Sequence, residues 1–102
     1  MIKVKYKIND DNKITYLDVK GHANYALHGE DLICASVSSI VFGLLNGLDE
    51  HKDNIQIKEL KNHIEVINNS NSEIVYNYLE LAIIQLKTIE ESYGEYIKIE
   101  RI

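Results

Sequence analysis

A chain of 102 residues can bury one hydrophobic core but not two, so residues 1–102 are read as a single domain. With 45% hydrophobic and 26% charged residues and a single cysteine, the composition is that of an ordinary soluble protein and excludes a disulfide-stapled secreted fold. A formal net charge of −5 argues against phosphate-backbone binding as the main task, because that needs a dense Lys/Arg surface.

Ile2, Val4, Tyr6 and Ile8 alternate with Lys3, Lys5 and Lys7, the period-two pattern of a half-buried strand. This charged alternation has no apolar core of a signal peptide, and no later run approaches the roughly 20 apolar residues of a membrane span. A cytoplasmic protein without a membrane partner is therefore expected. Lysines at every second position also suit an edge strand defended against aggregation. Asn9–Asn12 is turn chemistry, and Thr15, Leu17 and Val19 mark a second strand, so a hairpin is expected that Gly21 ends. Residues 22–30 show no sustained period and read as a loop, with at most a helical turn near 23–27.

From Leu32 to Leu48 apolar residues cover more than one helical face, which predicts a helix buried on several sides. Gly43 and Gly47, four apart, would let a neighbouring element approach closely, offsetting the cost of mid-helix glycine. Ile55–Leu60 and Ile64–Ile67 predict two strands joined at Lys61-Asn62. Ser70-Asn71-Ser72-Glu73 matches a capping box before an amphipathic run carrying Val75, Leu79, Ala82, Leu86 and Ile89. That helix should end at Tyr93-Gly94, with the glycine left-handed, before a last strand over Tyr96–Ile102. The order ββαββαβ predicts an α/β sandwich: one mostly antiparallel sheet packed with two helices.

Asp31 reads as the cap of the first helix, which puts Cys34 in its first turn. There the partial positive charge of the helix end favours a thiolate, and the free N–H groups are candidate oxyanion donors. His22 lies twelve positions earlier, on a stretch bounded by Gly21 and Gly29 that would act as a lid ordering on substrate. By spacing alone a Cys/His pair is compatible with catalysis and with a buried structural thiol alike. Capping alone would account for Asp31, and a packed hydroxyl bonded to a preceding carbonyl would account for Ser38. His28 reads as a solvated loop residue. His51 sits at a helix end and His63 starts a strand. A zinc site from His22, His28 and Cys34 would lack a fourth ligand and paired spacing. Seven tyrosines without a basic excess are simpler to read as half-buried amphipathic residues than as base-stacking platforms, so no direct nucleic-acid contact is expected.

Gly21-His22-Ala23 followed by Gly29-x-Asp31-x-Ile33-Cys34-Ala35-x-Val37-Ser38 closely resembles the ribosomal-processing cysteine protease family, the YsxB-like proteins. The resemblance extends to chain length and element order. It implies a small cytoplasmic homodimer that removes an N-terminal extension from the precursor of large-subunit ribosomal protein number twenty-seven. It also implies Cys34 as nucleophile and His22 as general base, with Asp31 and Ser38 at supporting positions and no metal or organic cofactor. Ser36 stands where many relatives carry a second alanine. The apolar excess on both helices fits a dimer interface. The rival readings are a non-catalytic ribosome-associated binding module and a thiol redox sensor, which would ordinarily want the resolving cysteine this chain lacks.

Overall fold

In the computed structural model, which describes residues 1–21 and 31–102, five strands form one sheet in the order β3-β4-β2-β1-β5. β1 (Ile2–Ile8) and β2 (Ile14–Lys20) make the expected antiparallel hairpin. Its turn closes because Asn9 Oδ1 accepts from the N–H groups of Asp11 and Lys13, at 2.9 and 3.1 Å, while Asn12 takes a positive φ of 60°. β3 (Ile55–Leu60) and β4 (His63–Asn68) form a second hairpin through Lys61-Asn62, and β4 pairs antiparallel with β2. β5 (Ile97–Arg101) returns to pair parallel with β1. The sheet is thus mixed but mostly antiparallel, and β1 is an interior strand rather than the edge its lysines suggested.

Register explains the core. Ile2 and Ile97, Val4 and Val19, Tyr6 and Leu17, and Leu17 and Val66 stand opposite one another on one face. Helices α1 (Leu32–Leu48) and α2 (Glu73–Tyr93) supply Ile33, Val37, Val41, Leu48, Val75, Leu79 and Leu86 to the same cluster. Full burial of one such side chain is worth about 1.5–3 kcal/mol. Asn68, a buried polar residue, is satisfied: its amide donates to Ile14 O, and its Oδ1 accepts from the N–H and Oγ of Ser70.

Three local expectations are corrected. The cap of α2 is Ser72, whose Oγ accepts from Val75 N–H at 3.3 Å, because Ser70 is spent on Asn68. Gly94 ends α2 in the right-handed region at φ −60°, so no left-handed glycine is needed there. And α1 is not buried on several sides of the single chain: Leu32 is 68% and Phe42 48% exposed. Of its glycines, Gly47 does receive a neighbour, since a Cβ there would meet the Tyr78 ring at 3.1 Å, whereas Gly43 faces open space.

Candidate active site

Cys34 is the third residue of α1, and Asp31 is the cap that starts the helix. Asp31 holds an extended backbone (φ −78°, ψ 98°), and its Oδ1 accepts from Ile33 N–H at 3.0 Å and Cys34 N–H at 2.9 Å. Its carbonyl accepts from Ala35 N–H at 3.1 Å. The expected cap is therefore real, and it alters the expected oxyanion site. The amides of Ile33 and Cys34 are committed to the Asp31 carboxylate, so Leu32 N–H is the first-turn donor that the cap does not take.

The Cys34 side chain is half-buried and packs against the edge of the hydrophobic core, neither fully exposed nor sealed among aliphatic neighbours. A thiol in the first turn feels the aligned peptide dipoles, and half-burial leaves it one open side. Ser38 lies four residues on, so it shares the helix face of Cys34, about 6 Å along the axis. It is exposed, and the bond to a preceding carbonyl expected of it is made instead by Ser36, whose Oγ donates to Leu32 O at 2.7 Å.

Gly21 is constrained twice. Its φ of +101° disfavours any L side chain, and a Cβ there would stand 2.5 Å from Met1 O. Its N–H donates to Asn62 O at 2.9 Å, which pins the end of β2 to the β3–β4 turn. The chain thus leaves the sheet from a fixed point immediately before His22. His22, His28 and Gly29 lie outside the described residues, as do the expected helical turn near 23–27 and the lid.

A second constellation escaped the sequence reading. Across β2 and β4, on the face away from the helices, His63 Nε2 is hydrogen-bonded to Asp18 Oδ1. Tyr16 OH donates to Glu65 Oε2 at 2.5 Å, and Lys58 lies 3.5 Å from Glu65 Oε1. That short bond holds the Tyr16 phenol protonated, with its pKa pushed up to about 12, and lowers that of the Glu65 carboxyl. One donor atom each from Asp18, His63 and Glu65 falls within 4.8 Å of the others, the spacing of a metal site. Each of the three side chains is already engaged by a neighbouring side chain, so the set is a polar network tying β2 to β4. The signal that would have found it is register, since Asp18 and Glu65 are directly paired and His63 is two residues away.

Among the described residues no helix is long and apolar enough to cross a membrane. The family model for cysteine protease Prp matches residues 1–98. The ribosomal processing cysteine protease Prp of Staphylococcus aureus strain Mu50 is 31% identical over 106 residues, covering 97% of each chain. Its counterpart in Mycoplasma genitalium is 30% identical, covering 97% of this chain and 94% of its own. The crystal structure of the essential S. aureus protease with a covalently linked product peptide superposes with a TM-score of 0.93 at 28% identity, covering all of both chains. The same protease with a substrate peptide gives 0.86 at 27%. Sequence, element order and three-dimensional course agree over the whole length, and the chain belongs to the Prp family of cysteine proteases.

Proposed function

We propose that this protease removes an N-terminal extension from the precursor of large-subunit ribosomal protein number twenty-seven in the cytoplasm, with Cys34 as nucleophile and His22 as its base. The observation that carries the assignment of Cys34 is its place in the capped first turn of α1, half-open to solvent. The relatives' names, ribosomal processing cysteine proteases, support a ribosomal protein as the substrate class, and the family resemblance implies the particular precursor.

In this mechanism His22 takes the thiol proton and the Cys34 thiolate adds to the scissile carbonyl. The oxyanion is met by Leu32 N–H, the donor that the Asp31 cap does not take. Collapse breaks the C–N bond as the imidazolium protonates the departing amine. His22 then deprotonates a water that attacks the thioester, releasing the peptide acid and restoring the thiol. Asp31 acts here by fixing the helix entrance that carries Cys34, and Ser38 lines the same face one turn along. Gly21 and Gly29 bracket the segment that bears His22. No cofactor enters any of these steps.

The active species is a homodimer. A groove between α1 and α2, lined by Ile40, Gly43, Gly47, Tyr78 and Leu81, is apolar, and Leu81 is 53% exposed in the single chain. Sedimentation at micromolar concentration should give twice 11.7 kDa; the monomer mass alone would remove the dimer.

The deciding experiment is cleavage of the extended precursor by Cys34→Ala and His22→Ala. Both should fold and bind the precursor, Cys34→Ala should leave it intact, and His22→Ala should be severely impaired. Cleavage by Cys34→Ala at the parental rate would overturn the assignment. Rapid alkylation of Cys34 by stoichiometric iodoacetamide near neutral pH separates a thiolate nucleophile from a merely structural thiol.

A further inference from the structure

The face of the sheet turned away from the helices carries six lysines, Lys3, Lys5, Lys7, Lys20, Lys58 and Lys98, against three carboxylates, Asp18, Glu65 and Glu100. The carboxylates do not neutralise the lysines evenly. Asp18 is engaged by His63, and Glu65 by Tyr16 and Lys58. Among the described residues the ion pairs within 4.0 Å involve Lys13, Lys52, Lys58 and His63. Lys3, Lys5, Lys7 and Lys20 are exposed and join none of them. Lys98 bends back toward the end of α2, its Nζ 3.6 Å from where a Cβ of Gly94 would lie, and stands at the rim.

Two structural explanations leave Lys3, Lys7 and Lys20 unaccounted for. Lysines guard sheet edges, but β1 lies between β2 and β5. Lysines also balance cross-strand acids, and Lys5 does so between Asp18 and Glu100, as does Lys58 opposite Glu65; Lys3, however, is directly opposite Lys20 on one side and Lys98 on the other, an arrangement of like charges that weakens a sheet. The chain is acidic overall, so the positive field here is a local segregation that net charge conceals. Beside it lies an aromatic surface: the Tyr16 ring, with Lys7 Nζ 5.3 Å from its centroid. Lysines along β1 recur every 6–7 Å or so, and a ring among them is the composition of a single-strand platform.

We propose that this face, centred on Lys3, Lys5, Lys7, Lys20 and Tyr16, docks single-stranded RNA through its phosphate backbone. The choice of RNA among polyanions rests on the proposed function, because a protein destined for the ribosome assembles with RNA. The protease would thereby be held near substrate arriving at its site of assembly. The docking face is opposite the helix layer that carries Cys34, so the two activities are separable.

The test is fluorescence anisotropy of the full chain with a labelled oligouridine of about 12 nucleotides at 50 and 200 mM KCl. Four phosphate contacts to a single strand give a salt slope of about −2.8, an affinity loss of about 50-fold over that range. Lys3→Gln, Lys5→Gln and Lys20→Gln together should weaken binding at 50 mM by about tenfold or more, and leave a loss of about threefold across the salt range. The charge-matched control Lys13→Gln, Lys52→Gln and Lys87→Gln should bind like the parent. Cleavage of a short peptide substrate should be unchanged in both. No binding at about 100 µM protein, equal loss in the control, or oligothymidine or polyglutamate binding at least as tightly as RNA would overturn the proposal. Any of these with cleavage intact leaves the protease reading standing, whereas loss of cleavage in Cys34→Ala with RNA binding retained is expected if both hold.

Discussion

Gly21→Ala tests how the end of β2 positions His22, the proposed base. The methyl would stand at φ +101°, where a non-glycine residue costs about 1–3 kcal/mol, and 2.5 Å from Met1 O, which is backbone that cannot rotate away. Relieving that contact by moving the start of β1 or the end of β2 adds about 1–3 kcal/mol, the usual range for overpacking. The expected loss is therefore about 2–6 kcal/mol, which at roughly 4 °C per kcal/mol for a domain of this size lowers Tm by about 8–24 °C. Gly43→Ala is the internal control. It has open space around it in a helix interior, and should stabilise by about 0.5–1 kcal/mol. Melting is followed by circular dichroism, and precursor cleavage is measured where every variant is folded. Because His22 is the next residue, a displaced strand end should also lower kcat by about 100-fold at unchanged fold. A Tm within about 3 °C of the parent, or parental kcat in a destabilised but folded Gly21→Ala, would refute the link between this glycine and the histidine.

Asp31→Ala removes two accepted hydrogen bonds at the start of α1 and should cost about 0.5–2 kcal/mol, while Asp31→Asn should recover most of it; urea denaturation of the two variants measures the difference. Glu90→Ala frees Ile99 N–H, which Glu90 Oε2 accepts at 2.7 Å on the edge strand β5; a loss of about 1.5–3 kcal/mol is expected, with Glu90→Gln intermediate. Tyr16, bonded to the Glu65 carboxylate, has its phenol raised from 10.0 to about 12. Its contribution to stability is then complete below pH 10 and lost as pH rises through about 12, so the parent should lose more stability than Tyr16→Phe over that window. Glu65 is shifted the opposite way, and its contribution is complete above the ordinary carboxylate range and disappears as pH falls through its lowered folded value. Acid melts of Glu65→Gln against the parent should therefore converge at low pH.

What could be read in the chain was whatever depends on near neighbours. Alternation along β1 and the cap at Asp31 are each decided within a few residues, and both stand in the structure. What pairs with what is decided elsewhere. β1 looked like an edge because its second neighbour, β5, comes from the far end of the chain. The Ser70–Glu73 box failed for a related reason: Ser70 has the right spacing to cap α2 but is held by Asn68, a buried side chain that also reaches back to Ile14 across 54 positions. The Asp18–His63 pair is likewise separated by 45 positions and joined only through β2–β4 register. Net charge is likewise a sum over the chain and does not show on which face the lysines gather.

The cap at Asp31 carries a consequence for catalysis that local sequence could not show. A helix N-terminus offers several unpaired amides, and it is natural to assign them to the oxyanion. Here one carboxylate oxygen holds two of them. The same residue that orders the first turn around Cys34 therefore removes donors from the site it builds. A carboxylate so close to the first turn also opposes the thiolate that the helix end favours, by like charge. If Asp31 served only to cap, Asp31→Asn would keep the helix, remove the negative charge and speed alkylation of Cys34 without harming cleavage. If its charge serves the reaction by aligning the His22 imidazole, the same variant would alkylate faster yet cleave more slowly, and its pH–rate profile would shift. Measuring alkylation and cleavage on that single variant separates the helix-capping role from the catalytic one.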